Sequence, residues 1–113
     1  MKTMKIVITT TSPSIDSNVD NRFGRCAFFL FVDPVTLEWD AKPNPGVNAR
    51  GGAGVKASQF VANLKPDAII SGSFGPNAYG VLKAANVQMY LFDGAKNVQE
   101  VINRFNEGIL NTV

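Results

Sequence analysis

The apolar pattern of the amino-acid sequence changes part-way along the chain, and this change constrains the fold more than any other feature. Before residue 43 the apolar side chains form short runs that are typical of β-strands. From residue 53 onward, segments with apolar side chains at helical spacing alternate with further short runs. The predicted element order is therefore βββαβαβα, with strands at 5–10, 28–32, 37–42, 68–70 and 87–91 and helices near 53–64, 76–85 and 97–109.

This element order predicts a mixed sheet in an α/β fold. If the first three strands form an antiparallel meander and right-handed crossovers follow, strands one, three, four and five point the same way. Pairing the fourth strand with the first gives the order 3-2-1-4-5, with strand two antiparallel and helices on both faces. Segment 28–32 is apolar on both sides, which favours an interior strand, whereas 37–42 alternates and favours an edge that can pair.

The composition favours a globular protein of one domain, residues 1–113. Apolar residues make up 45% of the chain and charged residues 18%, which is typical of packed rather than disordered proteins. The net charge of +2 comes from scattered basic residues, so no nucleic-acid partner is expected. The longest apolar run, 26–32, is too short to cross a membrane, and residues 1–5 lead into a strand. We therefore expect a cytoplasmic protein.

The chain contains no histidine and a single cysteine, Cys26. One thiol cannot form an intramolecular disulfide, and the usual zinc sites of cysteine and histidine cannot be assembled. The absence of histidine also removes the commonest general base and the histidine-dependent catalytic triads. We therefore predict that the protein is not an enzyme.

Three segments marked by glycine, 22–26, 51–54 and 71–77, follow or precede predicted elements at one rim of the sheet. Segments 51–54 and 71–77 each lie at the start of a predicted helix. Unpaired N–H groups and the positive end of the helix dipole attract anions at such a position. Segment 51–54 lacks the Gly-Lys-Ser/Thr ending of a nucleotide-binding loop. The candidate anion-binding residues are Arg22, Phe23, Gly24, Arg25, Gly51, Gly52, Ala53, Gly54, Ser73, Phe74, Gly75 and Asn77.

These segments, in this order and spacing, resemble the dinitrogenase iron-molybdenum cofactor-binding domain family from about residue 5 to residue 110. The resemblance implies a ribonuclease H-like fold and a non-enzymatic role. That role is binding or carriage of the iron-molybdenum cofactor, a precursor, or a related molybdenum or iron–sulfur cluster. It also implies a cofactor-maturation or acceptor protein as a partner.

The chain departs from the family in the residues available to ligate a metal. Family members are thought to use histidine or cysteine toward the cluster, and this chain has no histidine. Cys26 is then the candidate metal ligand, because thiolates suit iron–sulfur and molybdenum–sulfur chemistry. The alternative mode is non-covalent capture by Arg22, Arg25 and backbone N–H groups.

Each candidate residue also has a purely structural interpretation. Cys26 is a small core residue in that case, and the glycine segments are tight turns. The two arginines instead form ion pairs with acidic neighbours, namely Asp16, Asp20 or Glu38. The loop 11–25 is either functional or mobile.

Two other function classes remain open at this stage. One is a regulatory or protein-interaction module that binds a partner or a small organic anion without metal. The other is a nuclease, because ribonuclease H-like sheets often carry sites built from several carboxylates. The first strand, 6–10, contains no acidic residue where such a site needs one.

Overall fold

The computed structural model describes residues 4–113, and segment 1–3, which was predicted to lead into the first strand, lies outside the described residues. The elements alternate as the apolar pattern predicts. They are β1 (Ile6–Thr10), β2 (Phe28–Val32), β3 (Trp39–Pro43), α1 (Ala53–Asn63), β4 (Ala68–Ser71), α2 (Pro76–Ala84), β5 (Gln88–Leu91) and α3 (Val98–Glu107).

The five strands form one mixed sheet in the order β3-β2-β1-β4-β5. Strand β2 is antiparallel to both of its neighbours, whereas β1, β4 and β5 are parallel. In the centre, Ile8 lies opposite Leu30 on β2 and Ile70 on β4. The predicted strand order is confirmed, and it is compatible with a ribonuclease H-like fold.

The sheet separates two apolar cores, because successive side chains of a strand point to opposite faces. On β1, Val7 points to the face that α1 and α2 cover, and Ile8 points to the face that α3 covers. Both faces of β2 are buried, as the unbroken apolar run predicts. Within residues 4–113, no helix is long and apolar enough to span a bilayer.

The ends of α3 follow the sequence signals, with one correction. The Asn97 side chain accepts a hydrogen bond from Glu100 N, and Gly108 ends the helix in the left-handed conformation (φ 72°). Ile109, which the predicted helix 97–109 includes, lies beyond this cap and is exposed. Ala85, the last residue of the predicted helix 76–85, is the C-terminal cap of α2 and is exposed.

The end of the chain covers one edge of the sheet, which the sequence analysis did not predict. Leu91 N donates to Asn111 O, and Val113 N donates to Met89 O. The Asp93 carboxylate fixes the same segment by accepting hydrogen bonds from Asn111 N and Asn111 Nδ2. Residues 111–113 therefore lie against β5, at the edge opposite β3.

Candidate functional site

The first and third glycine segments are joined beyond the ends of β1 and β4. Phe23 N donates to Ser73 O at 3.2 Å, and Ser73 Oγ donates to Asn21 O at 3.1 Å. The approach is close because residue 72 is glycine: a Cβ there would lie 2.7 Å from Asn21 O. Sequence and fold thus bring 22–26 and 71–77 into direct contact.

The second segment meets both of the others through glycine. A Cβ on Gly24 would lie 3.1 Å from the Cα and N atoms of Gly54, so the two backbones are in contact. Gly54 in turn faces Ala78 in the first turn of α2, where an added Cβ would lie 3.7 Å from the Ala78 side chain. All three glycine segments therefore form one continuous surface, made of the exposed and half-buried residues of 22–26, 51–54 and 71–77 and called the glycine surface below.

An aromatic cluster lies beneath the glycine surface. The Phe23 ring is only 1% exposed and lies 5.4 Å, centroid to centroid, from both Phe29 and Phe74. Phe74 and Ala53 are also buried. Phe23 and Phe74, both predicted binding residues, thus support the surface from below, in the core under α1 and α2.

The two helices that begin at the glycine surface have no side-chain caps. Gly52 precedes α1 with φ 68° and Gly75 precedes α2 with φ 75°, and neither helix start has a side-chain cap hydrogen bond. By contrast, Asn97 caps α3, which begins elsewhere. The first N–H groups of α1 and α2 carry the partial positive charge that favours an anion.

The two predicted arginines have different roles in the structure. Arg22 is 70% exposed and lies 3.8 Å from the Asp20 carboxylate, a weak surface ion pair that leaves most of the guanidinium accessible. Arg25 Nη1 donates to Val47 O at 3.0 Å and to Ala49 O at 2.8 Å. Arg22 is therefore the accessible cation, whereas Arg25 holds the loop that precedes α1.

Asn44, which lies outside the predicted strands and helices, organises the same region. Its side chain is buried and donates to Gly24 O at 3.1 Å and to Cys26 O at 3.0 Å. Its Oδ1 accepts from Gly46 N at 2.8 Å. The signal in the sequence is an asparagine between two prolines, a combination that favours a side chain bonded to nearby backbone.

Cys26 is fully buried below the glycine surface. Its thiol donates to Phe23 O at 3.3 Å, and burial, with a smaller contribution from the Asp20 charge, raises its pKa to about 12. The thiol is therefore protonated at neutral pH and occupies a core position. Metal ligation by Cys26 stays a prediction, and it requires the thiol to lose its proton and become accessible.

This raised pKa predicts a pH dependence of stability. The folded thiol keeps its proton above pH 9, where the unfolded thiol loses its own, so stability falls as pH rises toward the folded pKa. We expect the free energy of unfolding to fall by about 1.4 kcal/mol more in the wild type than in a Cys26→Ala variant between about pH 8 and 10. Urea titrations at both pH values measure the free energy of unfolding. An equal change of this free energy between the two pH values in the wild type and the variant would contradict the prediction.

The glycine surface has exposed residues on each of its three segments, and Gly24 and Gly54 between them are half-buried. Two surface clefts of about 340 and 500 Å³ lie elsewhere, one beside Trp39 and the other beside Tyr79.

Within residues 4–113, no group of three or more histidine, cysteine, aspartate or glutamate side chains is arranged to hold a metal ion. The exposed candidates are Arg22, Arg25, Gly51, Gly52, Ser73, Gly75 and Asn77.

Comparison with known proteins assigns the chain to a family. The sequence profile described as dinitrogenase iron-molybdenum cofactor matches residues 4–108. The chain belongs to the dinitrogenase iron-molybdenum cofactor family. This is a cofactor-binding or carrier type of domain and not a known enzyme family, and the resemblance inferred from the glycine segments is confirmed.

Other proteins resemble the chain in sequence, and two solved structures among them also resemble it in fold. An uncharacterized protein of Methanocaldococcus jannaschii is 31% identical over 96% of this chain and 95% of its own length. The apo form of the orange protein from Desulfovibrio gigas is 29% identical, with a TM-score of 0.91 over 99% of this chain and 94% of that one. A Thermotoga protein described as NifB is 30% identical, with a TM-score of 0.81 over 96% and 92% of the two chains.

Proposed function

We propose that this protein binds an anionic metallocluster on the glycine surface and carries it without changing it chemically. The cargo class is the iron-molybdenum cofactor, a precursor, or a related molybdenum or iron–sulfur cluster. The main support for the proposal is that the three glycine segments are in contact with one another in a protein of this family. A cofactor-maturation or acceptor protein is the proposed partner for delivery.

The electrostatics of the glycine surface support an anionic cargo. Two helices begin there without side-chain caps, and Arg22, whose backbone pairs with that of Ser73 just before α2, has an exposed guanidinium. Glycine at positions 51, 52 and 75 leaves open space where a side chain would otherwise stand, so a cluster can approach the main chain closely.

The groups on this surface suit holding rather than reacting. Guanidinium, hydroxyl, carboxamide and backbone N–H groups donate hydrogen bonds to sulfide or carboxylate, but they are poor general bases at neutral pH. Arg22 and Asn77 provide an exposed guanidinium and an exposed carboxamide. The Ser73 hydroxyl is exposed as well, but its proton is already donated to Asn21 O. An exposed surface also suits a carrier, because an exposed site releases its cargo more readily than an enclosed one.

We propose non-covalent capture as the first mode of binding. The Cys26 thiol is protonated and buried, so direct ligation requires the aromatic cluster around Phe23 to open first. Backbone N–H groups and Arg22 need no such rearrangement. In this mode, Cys26→Ser binds the cluster as tightly as the wild type does.

The proposed function is tested by anaerobic purification followed by elemental analysis and a visible spectrum, before and after addition of extracted iron-molybdenum cofactor. We expect molybdenum and iron to co-elute with the protein in a fixed ratio after addition. A colourless protein that stays free of metal would overturn the proposal and favour an interaction module that binds a partner or an organic anion.

Removal of the Arg22 guanidinium should weaken this binding selectively. We expect Arg22→Ala to lower the affinity for the cofactor by about tenfold, the size of one lost charge-assisted contact. Lys83→Ala is the matched control, because it removes one exposed positive charge from the far end of α2. Titration by visible absorbance measures both, and equal losses in the two variants would show that only net charge matters.

A further inference from the structure

Among the residues that the structure describes, one edge of the sheet is covered by the chain itself and the other edge is open. Residues 111–113 pair with β5, whereas β3 pairs only with β2 among residues 4–113. Trp39 on β3 is 44% exposed, and the apolar side chains of Leu37 and Leu64 are also exposed. An open strand edge with exposed apolar side chains is a template for pairing with another strand.

The hydrogen bonds at the ends of the β2–β3 ladder show which backbone groups face the open edge. Asn44 N donates to Ala27 O, and Asp33 N donates to Glu38 O, so even-numbered residues of β3 pair with β2. In an antiparallel ladder the alternate residues direct their N–H and C=O groups the other way. The groups at the open edge are the N–H and C=O of Trp39 and Ala41 and the C=O of Pro43.

The charges along β3 are complementary to a second copy of the same strand. Asp40 and Lys42 lie on one face of the strand, Asp40 exposed and Lys42 half-buried, with 3.2 Å between their charged atoms. In an antiparallel pair of β3 strands centred on Ala41, each Asp40 lies opposite Lys42 of the second copy. Opposite charges at directly facing positions stabilise such a pair.

We propose that two copies of this chain associate by antiparallel pairing of their β3 strands about a twofold axis at Ala41, so that the two sheets become continuous. The two Ala41 residues then exchange N–H and C=O hydrogen bonds. Each Trp39 N–H donates to Pro43 C=O of the second copy. The interface is isologous, because each surface meets its own copy.

The same charges select this register over its neighbours. A shift of the register by two residues in one direction places Asp40 opposite Asp40 and Lys42 opposite Glu38, and in the other direction places Lys42 opposite Lys42. Each shifted register therefore contains a pair of like charges at facing positions, which the register centred on Ala41 avoids. Pro43 has no N–H, so the ladder stops there and the contact is short. We therefore expect a weak dimer, with a dissociation constant between about 10 μM and 1 mM.

The test is sedimentation equilibrium of the whole chain over a concentration range, with three charge variants. Asp40→Lys alone and Lys42→Asp alone each place like charges opposite one another, and we expect dimer affinity to fall by about tenfold or more in each. A mixture of these two single variants restores opposite charges and should form heterodimers. The double variant Asp40→Lys/Lys42→Asp should recover the dimer for the same reason.

Two controls show whether a lost dimer reflects broken strand pairing, an unfolded variant or a change of net charge. Lys83→Asp makes the same change of charge as Lys42→Asp at a distant position and should leave the dimer unchanged. Circular dichroism checks that each variant is folded. A wild type that stays monomeric at about 1 mM overturns the proposal. A dimer that is indifferent to the single variants, or a mixture that fails to associate, overturns it as well.

Discussion

Replacing Phe23 with alanine is expected to lower the free energy of unfolding by about 3–5 kcal/mol, the usual cost of truncating a buried phenylalanine. The ring is almost fully buried and contacts the rings of Phe29 and Phe74, so its loss leaves a cavity between the sheet and the glycine surface. Urea denaturation followed by circular dichroism measures the loss. Because Phe23 N also donates to Ser73 O, cofactor affinity should fall in the same variant.

Phe60→Ala provides the matched comparison for this cavity. Phe60 also packs on Phe29, with 6.0 Å between ring centroids, but it is only partly buried and belongs to α1. We expect a smaller loss of stability and little change in cofactor affinity. An equal loss of stability in the Phe60 and Phe23 variants would show that the buried Phe23 ring contributes no more to the free energy of unfolding than the partly buried Phe60 ring.

Gly72→Ala is expected to cost about 2–3 kcal/mol, toward the upper end of the range for overpacking. The added Cβ would lie 2.7 Å from the Asn21 carbonyl oxygen and 2.8 Å from Asn21 Cα. Both are backbone atoms, so relief requires segments 22–26 and 71–77 to separate. Thermal denaturation measures the stability, and cofactor titration should show weakened binding in the protein that remains folded.

Gly80→Ala is the control for Gly72→Ala, because it makes the same chemical change in a different environment. Gly80 lies on the exposed side of α2, and nothing stands within 4 Å of an added Cβ. Alanine should stabilise the helix there by about 0.5–1 kcal/mol. A Gly72 variant as stable as the Gly80 variant would show that the two segments are free to move apart.

Much of the fold could be predicted from the sequence because its signals are local. The unbroken apolar run of β2 requires burial on both faces, and the alternation in 37–42 requires an edge. Together with right-handed crossovers, these two facts determine the strand order. The Asn97 cap and the Gly108 stop of α3 are equally local, since each depends on residues within one turn of helix.

The rest depends on contacts between segments distant in sequence. Nothing local shows that Arg25 binds Val47 O and Ala49 O rather than solvent or an anion. The Asn44 side chain donates to Gly24 O, which lies 20 residues away in the sequence. Residues 111–113 likewise form hydrogen bonds with β5, a contact that depends on the folded sheet. Ligand binding at the predicted surface residues, including ligation by Cys26, stays a prediction.

The contact between Gly24 and Gly54 limits how the cargo preference of this protein can be altered. A Cβ on Gly24 would press against the Gly54 main chain, so a histidine cannot be introduced at residue 24 without pushing the two segments apart. An engineered imidazole fits better at the exposed residues Ser73 and Asn77, or at Gly51, where an added Cβ meets nothing within 4 Å. Any redesign that introduces a covalent metal ligand therefore has to begin at the exposed positions of the glycine surface.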